Sequence, residues 1–430
     1  MSADNQMALP GSRRKRRRRI WIVVLAAVVA VVVVIVGFVA INLINANNNI
    51  MRSDALTGAH LVPKLTKDTN ILVMGLDSRV DEQGKPLSPA LYDALDAGDQ
   101  SIGGYNANVL MLIHIPADGA KATAISIPRD DYVQLAGIPG ESGTYGKIKE
   151  AYGDGLAAAQ TALLAEGKPN DNATYQLARD AGRKAEIATV SAFLGSVHID
   201  HFIEVTMAGF YEAAQAIAPI TVCVIKATQD TYSGANFKAG LQQIDAKQAM
   251  AFVRQRRDTT DPNYLFSDLD RERRQQAFVV DVIHQLKQVG TLTNIPKMQA
   301  VLNDVSSNIV VDSGFNLIEM LQQATAITSG HISFTTLPIT GFSTAPNGES
   351  INTVDVTQVQ ATVKQLLTPP PATKASASKT SSPAKSSSIS SPGSTSASTA
   401  KAKAKAAAPT TTTYTDWTGS LSGDSVPCTK

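Results

Sequence analysis

Two cysteines and six histidines are all that 430 residues supply. The histidines are scattered, and no pair has the close spacing that a zinc-type site requires. No Ser–His–Asp or Cys–His arrangement can be argued either, since Cys223 lies in a strand-like apolar run with no adjacent base. His114 alternates within an apolar run, and His198 and His201 flank Asp200 at a turn. All three read as structural residues rather than ligands. Cys223 and Cys428 leave two readings open. One is a disulfide that pins the C-terminal end back on the body, as an oxidising compartment permits; the other is two unpaired thiols.

The body of the chain also lacks positive charge. The formal net charge of +2 hides a segregation, because residues 45–367 carry 25 basic and 34 acidic side chains, a net of −9. That balance excludes nucleic-acid binding by overall charge. Long apolar runs are missing as well, with one exception. Ile20–Ile44 has no charge over 25 residues, more than the roughly 20 needed to cross a bilayer and longer than a signal-peptide core of about 7–15. It follows the basic block RRKRRRR at 13–19. The pattern predicts one uncleaved transmembrane helix, with the N-terminus cytoplasmic and the rest extracellular, at the cell membrane.

The predicted organisation follows. Residues 1–19 form a basic cytoplasmic segment, 20–44 the anchor, 45–69 a membrane-proximal linker and 70–367 the extracellular domain. Insertions are expected near 80–105 and 153–185. Residues 368–413 are Ser, Thr, Pro, Ala and Lys with almost no large apolar side chain, so they cannot repay the entropy of ordering. Residues 414–430 regain Trp417 and Cys428, which leaves open where they dock.

Within the body, Asn70–Leu76 reads as a buried strand that delivers Asp77 and Arg79 to its C-terminal end, where open α/β sheets build their sites. VLMLIHI (109–115) and ATAISI (122–127) read as a hairpin, the second strand running into Pro128, Arg129 and Asp130. KIKEAY (147–152) opens a helical region through 185. A helix at 186–194, a strand at 201–206, a helix at 207–218, a strand at 220–227 and a helix at 245–252 follow. Beyond them come helices near 295–306 and 316–327 and a strand at 331–337. The alternation predicts an α/β fold, a mixed central sheet flanked by helices.

The most unusual stretch is 250–289. Arg254, Arg256, Arg257, Arg271, Arg273 and Arg274 crowd into it, and Phe278, Val282, Leu286 and Val289 repeat at helical spacing. Asp268 stands where an N-cap would, and counting back puts Gln275 and Arg271 on the apolar face. Arg254 and Arg256, two apart, would point the same way in an extended segment. Guanidinium forks suit phosphate oxygens. The plainer alternative is a solvated, salt-bridged helix.

Five pieces in order, GLDSR (75–79), VLMLIHI with SIPRD (126–130), KIKEAY, FVRQR (252–256) and SDLDRERRQQ (267–276), resemble the signatures of the LytR–CpsA–Psr family. The anchor agrees, and the Ala/Val-rich composition suits an actinobacterial cell. The resemblance implies an α/β/α fold with an apolar groove for a polyprenyl tail. It implies a phosphotransferase that moves a glycopolymer from a polyprenyl-pyrophosphate carrier onto peptidoglycan, releasing polyprenyl phosphate with the help of Mg2+ or Mn2+. Carried over residue by residue, it makes Asp77 a metal ligand with Arg79 beside it. Arg129, Arg254, Arg256 and Arg271 would grip phosphate, and Asp268 and Gln275 would line the pocket. Asp268 is the candidate base, or else an N-cap that orients Arg271.

One departure matters. Where the family carries Arg-x-Asp, this chain has Asn106-Ala107-Asn108. Asn108 falls on the second metal-ligand position, where an amide oxygen can ligate but adds no charge. Metal use would be weakened, which opens an alternative: a non-catalytic polyprenyl-phosphate-binding or cell-wall scaffold protein.

Overall fold

The computed structural model describes residues 50–57, 68–101, 104–117, 121–288, 308–315, 332–368, 411–412, 419–422 and 425–430. The predicted anchor, the helices predicted near 295–306 and 316–327, and nearly all of the 368–413 linker lie outside them. Among the described residues no helix is long and apolar enough to cross a membrane.

The apolar runs predicted as strands make the centre. Strands β2 (Thr69–Leu76), β3 (Ala107–Ile115) and β4 (Ala122–Ser126) are antiparallel neighbours, with Val73 opposite Met111 and Ile113 opposite Ala124. Around them the sheet is mixed. On one side β2 pairs in parallel with β5 (His201–Val205), which pairs with β10 (Ile309–Asp312) and then β1 (Met51–Ser53). On the other, β4 pairs in parallel with β11 (Ile332–Thr336), whose far neighbour is β13 (Leu421–Ser422). The segment read as a membrane-proximal linker thus contributes an edge strand.

Helices α2 (Ala151–Ala165) and α3 (Asn172–Phe193) pack as a hairpin over one face of this sheet. Ala178, Ala185 and Val190 join Leu72, Met74, Leu112 and Ile125 in one core. Residues 153–185, where an insertion is expected, are thus part of this core. Their small alanines let the helices approach closely, and the predicted helix at 186–194 is simply the end of α3. The 80–105 stretch likewise holds a short helix, α1 (Pro89–Leu95), started by Ser88 and Pro89.

The arginine-rich helix α6 (Asp268–Gln288) lies between two sheets. Ala277, Val280 and Ile283 pack on Met111, Ala124, Ile332 and Phe334 of the large sheet. Phe278 faces the other way, into a core with α4 (Met207–Ile217), α5 (Ala246–Arg254) and β6 (Ile220–Val224). The helix is buried on two sides, which a single stripe of spacing does not reveal. Its N-cap is also one residue earlier than expected. The Ser267 hydroxyl accepts from the Asp270 N–H at 3.1 Å, and the Asp270 carboxylate accepts from the Ser267 N–H at 2.8 Å. This capping box leaves Asp268 in the first turn, its side chain free for other work.

The C-terminal residues return to this framework. Beside β6, which also pairs with β9 (Gly240–Ile244), runs β14 (Val426–Thr429), in parallel and with Cys428 opposite Cys223. Their sulfurs are bonded, with the Cα atoms 4.4 Å apart, so the disulfide reading holds. Buried Arg273 and Arg274 donate to the carbonyls of Gly419 and Lys430.

Candidate functional site

Between Gly75 and Leu76 the β2–β3 register shifts, and a Cβ on Gly75 would lie 2.8 Å from that of Val109. Only glycine permits that approach. The chain beyond it sets Asp77 against Asn106 and Asn108. Asp77 accepts from the Asn106 N–H at 3.0 Å and from Asn108 Nδ2 at 2.9 Å. The amide oxygen of Asn108 accepts from Arg129 Nη1. That orientation is dictated by the neighbours, because Arg129 offers only donors and an ionised Asp77 only acceptors.

Arg129, at the end of β4, also reaches Asp268 with Nε and Nη2, at 3.0 and 3.2 Å. Arg271 Nη2 reaches the same carboxylate at 2.7 Å and Arg256 Nε lies 3.5 Å from it. Three guanidinium groups therefore converge on one carboxylate. Burial would raise the Asp268 carboxyl, but Arg271, Arg129 and Arg256 outweigh it and hold it below the usual range. Burial pushes the Arg271 guanidinium down to about 10, and the like charge of Arg129 adds to that. Arg271 Nε is buried and has no acceptor among the described residues. Arg129 also lies 3.4 Å from Asp130, so two carboxylates face three guanidinium groups, and the half-exposed Arg256 leaves the cluster able to receive a further anion.

The other expected arginines sit at a second spot. Arg254 is the last residue of α5 and donates to the Leu95 and Asp96 carbonyls at the end of α1, at 2.6 and 3.3 Å. A cation there complements the helix dipole. Arg79 donates to the Ala97 and Asp77 carbonyls. The two are close enough for Arg79, after burial, to depress the Arg254 guanidinium. Because α5 runs through Arg254, the segment is not extended there. Arg254 and Arg256 therefore reach different partners, contrary to the sequence expectation. Gln275 donates to the Val253 carbonyl at 3.3 Å and serves the α5–α6 contact.

The expected metal pair meets a chemical objection. A cation between Asp77 and Asn108 would need the amide oxygen that Arg129 holds, and would face amide hydrogens instead. As folded, the pair does not fit a divalent ion held by protein groups alone. Among the described residues no cluster of three or more His, Cys, Asp or Glu side chains is gathered for a metal.

Sequence reasoning missed two buried groups. Glu272, one turn beyond Asp268, is pushed up to about 8 by burial and by Asp268, against Arg271 and Arg129. The second group lies behind Asp77, where Arg179 and Arg183 bind Glu82 and Glu204, all fully buried. It ties the loop after Asp77 to α3 and β5. An Arg–Arg pair four apart in an alanine-rich helix, with a tyrosine four residues before, was the available signal.

The LytR_cpsA_psr family model matches residues 38–368. "Cell wall biosynthesis protein LcpA" of Corynebacterium glutamicum is 36% identical over 302 residues, 70% of this chain and 55% of that protein. The chain thus spans about half the length of that relative. "Polyisoprenyl-teichoic acid--peptidoglycan teichoic acid transferase TagU" of Bacillus mycoides is 26% identical over 266 residues, 62% of this chain and 73% of that protein. In fold, the chain resembles the crystal structure of protein gbs0355 from Streptococcus agalactiae, with a TM-score of 0.51 and 20% identity over 70% of this chain and 88% of that one. With the motifs in order, the mixed α/β fold and a family match over most of its length, this chain belongs to the LytR–CpsA–Psr family.

Proposed function

We propose that the protein is a membrane-anchored phosphotransferase. It moves a glycopolymer from a polyprenyl-pyrophosphate carrier onto extracellular peptidoglycan and releases polyprenyl phosphate. The observation that carries this reading is the convergence of Arg129, Arg256 and Arg271 on Asp268, with Arg271 Nε buried and without an acceptor among the described residues. The names of LcpA and TagU, a cell-wall biosynthesis protein and a teichoic acid transferase, support it. The basic block and apolar run at 13–44 support the anchor, and the apolar groove for the prenyl tail is inferred from family membership.

In phosphoryl transfer the protein chiefly positions reactants and neutralises charge on the phosphate oxygens. Arg129 and Arg271 are held by Asp268 in a geometry that incoming phosphate oxygens can take over. Arg256, half exposed, closes on them from the open side. The acceptor hydroxyl then attacks phosphorus as the bond to the prenyl phosphate breaks, and its proton ends on the released prenyl phosphate, whose leaving oxygen gains the charge. Asp268, kept acidic by its arginines, is a weak base and serves as the counter-ion that orients them. A divalent ion, if brought by the substrate's own phosphates, would have Asp77 as the nearby protein carboxylate. It would supply charge neutralisation, and no step here depends on it.

The orientation of Asn108 favours one second reading, a scaffold that binds the lipid carrier without turnover. Incubating the full chain with a short prenyl-pyrophosphate glycan, with and without magnesium, separates the two. Release of prenyl phosphate supports the transferase; tight binding without release supports the scaffold.

A further inference from the structure

Of the three arginines around Asp268, Arg129 and Arg271 are buried while the Arg256 side chain is 51% exposed. The cluster therefore opens to solvent at Arg256. Arg257, the next residue, reaches Tyr232, the most exposed aromatic among the described residues at 68%. The Arg257 guanidinium lies over its ring, 4.0 Å from the centroid.

The turn beneath this ring is held firmly. Tyr232 lies between β7 (Thr228–Asp230) and β8 (Ala235–Phe237). Buried Asp230 accepts from the Tyr232 N–H at 3.0 Å, from the Ser233 hydroxyl at 2.9 Å and from the Arg256 N–H at 3.4 Å. One carboxylate thus fixes both the tyrosine turn and the backbone of the arginine that opens the cluster. Gly234 has φ +73°, and a Cβ there would lie 2.8 Å from Asp96 Oδ2, so the turn also seats against the end of α1. Thr259 donates from its N–H to the Gln229 carbonyl at 2.7 Å and ties the far side of the arginine segment to β7. An exposed aromatic ring on a preorganised, hydrogen-bonded base is the form of a recognition residue, since an apolar ring in water gains nothing until something covers it.

We infer that Tyr232 and Arg257 form the subsite that receives the acceptor glycan strand, the ring stacking on a pyranose face and the guanidinium holding its hydroxyl or carboxylate oxygens. The inference rests on the transferase reading above and names its acceptor side. A wall polymer is too extended to enter a buried cleft, so it must be read by a surface feature at the cluster's open edge. The donor is already held through its pyrophosphate by Arg129 and Arg271 and needs no such platform.

The test uses the full chain with a synthetic prenyl-pyrophosphate glycan as donor and a soluble, uncrosslinked peptidoglycan strand as acceptor. Tyr232→Ala is expected to raise the acceptor KM about three- to tenfold, the loss of one aromatic stacking contact. Its donor KM and its turnover at saturating acceptor should stay at wild-type values, and Tyr232→Phe should behave as wild type. An unchanged acceptor KM in Tyr232→Ala overturns the inference, as does a rise in donor KM in its place. Direct titration of the soluble strand into the full chain separates this from a failure of the transferase reading. Even without turnover, binding by wild type that weakens in Tyr232→Ala upholds the subsite, and no binding by wild type, or equal binding by both, removes it.

Discussion

Replacing Cys223 and Cys428 with serine should cost the protein several kcal/mol and make the C-terminal strand separable from the body. The disulfide spans 205 residues of sequence, and the chain-entropy relation for such a loop gives about 5 kcal/mol as an upper figure. Strand β14 keeps its pairing with β6 in the serine variant, so a more typical ~3 kcal/mol is the better expectation. For a body of about 300 residues that lowers Tm by about 5 °C. Ending the chain at residue 367 goes further. It removes β13 and β14 and takes the Gly419 and Lys430 carbonyls from buried Arg273 and Arg274. Each lost acceptor adds about 1–3 kcal/mol, bringing the total near the whole stability of an ordinary domain. Thermal unfolding of the three proteins, with and without reductant, is the assay. The serine variant should match reduced wild type, and the truncated body should lose cooperative unfolding. A truncated body that unfolds within about 2 °C of wild type would refute the reasoning.

Two further predictions concern single side chains. Asn108→Asp sets a second carboxylate against Asp77 in place of an amide donor and should create magnesium binding measurable by titration calorimetry; wild-type binding of equal strength would contradict the objection raised above. Glu272 has its folded-state pKa raised from 4.5 to about 8, so the unfolded chain ionises first and stability falls as pH rises between those values. Glu272→Gln should therefore stabilise the protein more at pH 8 than at pH 5, by a few kcal/mol at about 1.4 per unit; an equal gain at both, read from denaturant midpoints, would go against it.

Much of this was legible in the residues. Strands β2, β3, β4, β5 and β11 announce themselves through apolar runs, and GLDSR, SIPRD and the arginine stretch fall on the site because β2, β4, α5 and α6 all end or begin there. What periodicity missed has a common cause. Helix α6 is sandwiched between sheets, and one stripe cannot reveal two buried faces. The role of Asp268 depended on Ser267 taking the cap, a choice between adjacent capping residues that spacing alone leaves open. Arg254 and Arg256 part company because the helix runs one residue past Val253. The pairing of Cys223 with Cys428 needed the register of β14 on β6, which is set by contacts 205 residues apart.

The central claim is that the arginines around Asp268 grip the pyrophosphate of a lipid-linked polymer for transfer. Arg256→Ala tests it most directly, because that side chain is half exposed and the fold does not depend on it. With the full chain and a prenyl-pyrophosphate glycan, prenyl phosphate release should fall about 100- to 1,000-fold, the effect of removing one group that stabilises transition-state charge, while Tm stays at the wild-type value. Release at the wild-type rate would contradict the account.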